Sequence, residues 1–222
     1  MRERRGTARA DSVTGPPGWD CKLSHAPLSP LRRVPNSMVM APATRQWTVE
    51  QVHQLPDDGN RYEVINGRLF VNPPPSVVHQ FLLQELDVRL WTYLQANPVG
   101  TVFPAPTGVR VDAETQVEPD LLVVPLIEGK IPHALPEPTR LLLAIEILSP
   151  STKSKDRLEK RDLYIEMGVP EYWIVDPDAK AVERWRPGMS APEILRDRIE
   201  WRPDPGKPAF IVDLAELFAR VE

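Results

Sequence analysis

The chain has 222 residues, 41% hydrophobic and 26% charged, which is the composition of an ordinary globular protein with room for one sizeable core. The longest useful apolar run, LLLAIEIL at 141–148, falls far short of the ~20 residues that span a bilayer and already holds a glutamate, which argues against membrane association. One cysteine, Cys21, excludes an internal disulfide framework, and the basic start MRERRGTARADS lacks the apolar stretch of a secretory signal, so a cytoplasmic protein is predicted.

Charge is uneven along the chain. Residues 1–46 hold eight Lys/Arg against three Asp/Glu, a net of +5, so the remainder carries −9 of the total −4. An acidic body suits a site whose carboxylates hold cations better than broad, non-specific DNA binding. Residues 1–46 mix Pro, Gly, Ser and Arg without period, which predicts a disordered extension, with Met38 and Met40 as candidate starts near its end. A single domain is expected over 47–222.

Thr48 and Gln51 form a capping box for a short helix ending at Pro56. RYEVINGRLF (61–70) reads as a hairpin around Asn66-Gly67, the preferred pair for a type I′ turn. Ser76 caps a long helix with Val78, Leu82, Leu86, Leu90 and Leu94 as its buried stripe. Strands follow at 107–111, 121–124 and 141–148, the last covered on both faces because it lacks polar alternation. A helix over 154–167 closed by Gly168, strands at 171–177 and 181–187, a strand near 194–201 and a helix at 213–220 complete the chain. From Ser76 the order is α-β-β-β-α-β.

Glu146 is the informative residue, since every neighbour in its strand is aliphatic or alanine. A carboxylate desolvated there needs a partner, either a structural arginine or a divalent cation. Asp120 follows Pro119 and opens the apolar strand LLVV. Two adjacent strands would bring Asp120 and Glu146 together, and their repulsion would then call for a cation; without one, Asp120→Asn is expected to stabilise the protein slightly.

Pro119-Asp120 followed by Glu146-Ile147-Leu148 within this order resembles the PD-(D/E)XK nuclease superfamily. More narrowly, RYEVINGRL, NPPPSVVHQ, VEPDLLVV, AIEILSPST, DRLEKRDLY and GVPEYWIVDP resemble the Uma-type family of putative restriction endonucleases. The resemblance implies an α/β, restriction-endonuclease-like mixed sheet flanked by helices. It also implies Mg²⁺-dependent hydrolysis of DNA phosphodiesters, with Mn²⁺ able to substitute. Asp120, Glu146 and the Ile147 carbonyl would hold the ion, with Glu63 as a further acidic ligand or orienting carboxylate. His79 matches the family's histidine position, as a substrate phosphate contact or a polar cap.

The superfamily places a lysine two residues after the glutamate, on the same strand face, where this chain has Leu148. The Uma-type pattern instead has a lysine in the following helix, which matches Lys160. Asp156, Lys160 and Tyr164 share one helix face that could turn toward the Asp120/Glu146 pair, the alternative being an exposed lysine in the charged segment KSKDRLEKRD. Lys153 and Lys155 are the reserve candidates. Two other classes stay open: a degenerate nuclease fold retained as a binding or regulatory module, and a structural protein whose aromatic hairpin 171–187 forms a homodimer face.

Overall fold

The computed structural model describes residues 46–135, 140–149 and 156–221, all within one compact unit, Thr44–Glu222. The expectations for residues 1–45, and for Lys153 and Lys155, lie outside the described residues. Local sequence dictates the first elements. Thr48 and Gln51 make the reciprocal capping box of α1 (Val49–Val52). Strands β1 (Arg61–Ile65) and β2 (Arg68–Asn72) pair antiparallel across Asn66-Gly67, whose φ values of 50° and 72° are those of a type I′ turn. A side chain at Gly67 would also meet Gln46, its Cβ 2.6 Å from Cγ.

Ser76 caps α2 (Val77–Ala96) by accepting a hydrogen bond from the His79 N–H. Leu82, Leu86, Leu90 and Leu94 are buried as expected, but Val78 is 37% exposed and His79 lies inward instead. A spacing of four drifts about 40° per step on a helix of 3.6 residues per turn, so a long stripe of fours leaves the core at one end.

Six strands form the main sheet, in the order β10-β9-β8-β7-β6-β3. They are β3 (Gly100–Pro104), β6 (Leu121–Pro125), β7 (Leu143–Ile147), β8 (Tyr172–Asp176), β9 (Ala181–Trp185) and β10 (Glu193–Leu195). Every pairing is antiparallel except β7 with β8, which a crossover joins through a π turn (Asp156–Lys160) and α3 (Arg161–Glu166). The α-β-β-β-α-β order holds, with one member exchanged. The first core strand is β3, framed by Pro98 and Pro104 and so disguised as a loop. The segment expected there, 107–111, gives only β4 (Val109–Arg110), which pairs with β5 (Gln116–Val117) in a second sheet ordered β2-β1-β5-β4. The strand expected near 194–201 divides into β10 and β11 (Arg198–Trp201); β11 pairs with β12 (Phe210–Asp213), and Asp213 caps α4 (Leu214–Ala219).

Strand alternation sorts the core into two layers. Leu121, Val123, Leu143, Ile145, Ile147, Trp173 and Val175 face α2, β11, β12 and α4. Leu122, Val124, Ala144, Leu148, Tyr172 and Ile174 face α3 and the small sheet, meeting Leu163, Tyr164, Ile65 and Val109. Strand β7 lies between the layers with all five residues buried, and full burial of each large aliphatic side chain stabilises by ~1.5–3 kcal/mol. Tyr172, Trp173 and Trp185 are buried within this same chain, so these aromatic side chains of the hairpin serve the core. Gly168, at φ 70°, ends α3 and lets the Val169 N–H bond the Tyr164 carbonyl at 3.0 Å, which fixes the backbone of a site residue.

Candidate active site

Antiparallel pairing of β6 with β7 sets Leu121 opposite Ile145, so one further step brings Asp120 opposite Glu146. Asp120 Oδ2 accepts the Ile147 N–H at 2.8 Å, which ties the carboxylate to the neighbouring strand. By alternation, Glu146 shares its face with Ala144 and Leu148, the face covered by α3. Leu148 is packed there among Leu163 and Tyr164, and no ammonium can come from that position.

Lys160 supplies one instead. Its Nζ is 2.6 Å from Glu146 Oε1 and 2.8 Å from Glu63 Oε1, and only 2% of its side chain is exposed. The exposed-lysine alternative is therefore corrected: the π turn ahead of α3 presents Lys160 inward, four residues before Tyr164 on the same side. Tyr164 donates its hydroxyl to Glu146 Oε1 at 3.1 Å. Burial, with Glu146 beside it, holds the Tyr164 hydroxyl well above the usual tyrosine range, so it remains a donor. Glu63 projects from β1, with Oε2 accepting Asn72 Nδ2 at 2.7 Å and Oε1 accepting the Glu118 N–H at 2.8 Å. The Glu118 carboxyl is pushed up by its own burial and by the charge of Glu63.

Asp120 anchors a second arm. His79 Nε2 lies 3.0 Å from Oδ2 and Arg61 NH2 3.2 Å from Oδ1. Burial alone would raise the Asp120 carboxyl; the His79 hydrogen bond and charge, the Arg61 guanidinium and the Ile147 N–H outweigh it and hold the group below its ordinary value. The charges of Asp120, Glu146 and Glu63 all act on Arg61 and raise it against its own desolvation.

Asp120, Glu146, Glu63, Ile147, His79 and Lys160 thus lie in one buried cluster. His79 is buried against Asp120, a positioning contact that neither of the two roles considered for it included. Arg61, Asn72 and the Tyr164 hydroxyl are members that the sequence reading left unassigned. Arg61 was findable, because it stands two residues before Glu63 on the same strand and so on the same face.

Among the described residues no three His, Cys, Asp or Glu side chains stand grouped as a metal-binding set. An ammonium lies between Glu146 and Glu63 instead, and a guanidinium contacts Asp120. Chemically the donor set still fits a small hard cation: two carboxylates from adjacent strands, a third from β1 and a backbone carbonyl, all oxygen.

The family model of putative restriction endonucleases, Uma2, matches residues 49–215. The chain belongs to this family. No curated protein matches it. A crystal structure of a putative nuclease belonging to DUF820, from Anabaena variabilis, is 20% identical, covers 79% of this chain and 99% of its own, and superposes with a TM-score of 0.63. That likeness shows the restriction-endonuclease-like fold, and family membership makes nucleic-acid hydrolysis the broad class of activity. No helix among the described residues is long and apolar enough to cross a membrane.

Proposed function

We propose that this protein is a Mg²⁺-dependent endonuclease that hydrolyses DNA phosphodiester bonds, with Mn²⁺ able to replace Mg²⁺. The observation that carries the reading is Lys160: an ammonium from the crossover helix lies beside the β6–β7 carboxylates, where the superfamily's strand lysine is missing. A leucine at 148 therefore does not leave the site without its cation, which favours an enzyme over a degenerate module.

Asp120, Glu146, the Ile147 carbonyl and Glu63 would hold the ion. When bound, it would offset phosphate charge and make water more acidic. Around it, the chain's own groups do the positioning. His79 and the Ile147 N–H orient Asp120, Tyr164 orients Glu146, and Asn72 with the Glu118 N–H orients Glu63. Lys160 would donate hydrogen bonds to the attacking water or to the phosphoryl oxygens as negative charge develops there. Its two carboxylate partners hold the ammonium in place before substrate arrives, so little reorganisation is needed at the moment of reaction. A cytoplasmic location is part of this reading, and the single cysteine supports it.

The test is cleavage of supercoiled, linear and single-stranded DNA, with RNA alongside, in Mg²⁺ or Mn²⁺. Cleavage of at least one DNA form that is lost in Glu146→Ala supports the proposal. Metal binding without cleavage of any DNA form would identify a degenerate module.

A further inference from the structure

Two cations neutralise the cluster, and they are held differently. Lys160 is enclosed, with a carboxylate oxygen on each of two sides at 2.6 and 2.8 Å. Arg61 makes one 3.2 Å contact, to Asp120 Oδ1, and its Nε is buried with no hydrogen-bond partner among the described residues. A buried guanidinium N–H without an acceptor is unfavourable, so the side chain gains by turning toward a place where that group is satisfied. Arg61 is also the member with a way out. Its side chain is 26% exposed, and it lines a groove of about 400 Å³ together with Leu55, Tyr62, Pro106, Gln116 and Glu118.

Charge makes the asymmetry consequential. Counting the acidic side chains against the lysine and arginine alone, Asp120, Glu146 and Glu63 against Lys160 and Arg61 leave one net negative charge. A dication would overcompensate while Arg61 stays in place. With Arg61 swung outward, two negative charges remain, which match a dication.

We propose that Arg61 is a resident counter-ion that occupies the cation position at Asp120 and is displaced into the adjoining groove when the divalent ion binds. This rests on the functional reading above and extends it to how the site is loaded. In the ion-free protein Arg61 keeps the Asp120 carboxylate charged and the strand pair intact. On loading, the guanidinium turns toward the groove, where Glu118 lies on the wall and where a substrate phosphate would approach. Arg61 is thus a positioning residue, one that sets cation affinity in competition with the ion itself.

The experiment is calorimetric titration of wild type, Arg61→Met, Arg61→Lys and Asp120→Asn with Mn²⁺ in the absence of DNA. Arg61→Met should bind at least tenfold more tightly than wild type, Arg61→Lys within about threefold of it, and Asp120→Asn should bind far more weakly. If Arg61→Met does not fold, nuclear magnetic resonance of wild type reads the same event. The Arg61 Nε–H resonance, assigned by its loss in Arg61→Lys, should move toward the free-arginine position and exchange faster with water as Mg²⁺ is added. Asp120-dependent binding that is no tighter in Arg61→Met, or a resonance unmoved at saturating Mg²⁺, would overturn the displacement and leave the nuclease reading intact. No binding by either wild type or Arg61→Met would overturn both.

Discussion

Lys160 Nζ lies 2.6 Å from Glu146 Oε1 and 2.8 Å from Glu63 Oε1, so a crossover residue is the cation that lets two strand carboxylates be buried together. Removing one partner from such a buried arrangement leaves charge uncompensated and typically costs ~3–5 kcal/mol. Lys160→Ala should lose stability of that order in chelator and recover part of it on addition of Mn²⁺. Its Mn²⁺ affinity should equal or exceed that of wild type, because an ammonium beside the carboxylates opposes a second cation. DNA cleavage should be abolished. Single-turnover cleavage by Lys160→Ala at a near-wild-type rate in saturating Mn²⁺ would remove Lys160 from the mechanism.

Leu148 offers a gain-of-function counterpart. It shares the Glu146 face and is buried beside Leu163 and Tyr164. In the Lys160→Ala background, Leu148→Lys would return an ammonium to the position that the superfamily uses. Partial recovery of cleavage is expected, together with a further loss of stability from placing a charged chain in an apolar layer. No recovery of cleavage in a folded double variant would show that the ammonium must enter from the π turn ahead of α3.

The site was legible where chemistry leaves a local mark. A glutamate inside LLLAIEIL and an aspartate after Pro119 stand out because burial of a lone carboxylate is so unfavourable. Asn72 left no such mark, and Arg61 left only its two-residue spacing from Glu63: each is an ordinary residue of a half-exposed hairpin until the small sheet folds over β7. The same division holds in the fold. Asn66-Gly67 and Ser76 act through adjacent backbone and read correctly, whereas β3, closed in by prolines, becomes a strand only by pairing with β6. The π turn before α3 has no sequence signature at all, yet it directs Lys160 inward.

Asp120→Asn separates repulsion from compensation. From sequence, two facing carboxylates repel, so removing one charge should help. In the structure Asp120 is met by His79, Arg61 and the Ile147 N–H, and its carboxyl is held below its ordinary value despite burial. The fold therefore favours the charged form, and Asp120→Asn should destabilise the ion-free protein, by ~1–3 kcal/mol for the weakened charge-assisted hydrogen bonds. Melting curves in chelator decide the sign. A higher melting temperature for the variant would show that Arg61 and His79 do not offset the repulsion between Asp120 and Glu146.

Asp87, on α2 and away from this network, shows the opposite behaviour. Burial pushes its carboxyl above the ordinary 3.8, with no compensating cation or hydrogen bond among the causes of the shift. An acid raised in the folded state binds its proton more tightly there than in the unfolded chain. Stability is therefore lost as pH rises from 3.8 through the folded value, and the full penalty is present at neutrality. Asp87→Asn keeps the shape and removes the charge, and the two residues have similar helix propensity. The variant should be more stable than wild type at pH 7. Since much of the group remains exposed, solvent screening keeps the gain below about 1 kcal/mol. The gain should shrink as pH falls toward 3.5, where wild type is increasingly protonated in both states. The site carboxylates titrate in the same range, but they are common to both proteins and cancel in the difference. Paired urea denaturation at pH 7 and pH 3.5 tests this. An equal difference at both pH values would assign the effect to packing or hydrogen bonding, and the charge of Asp87 would then have no part in it.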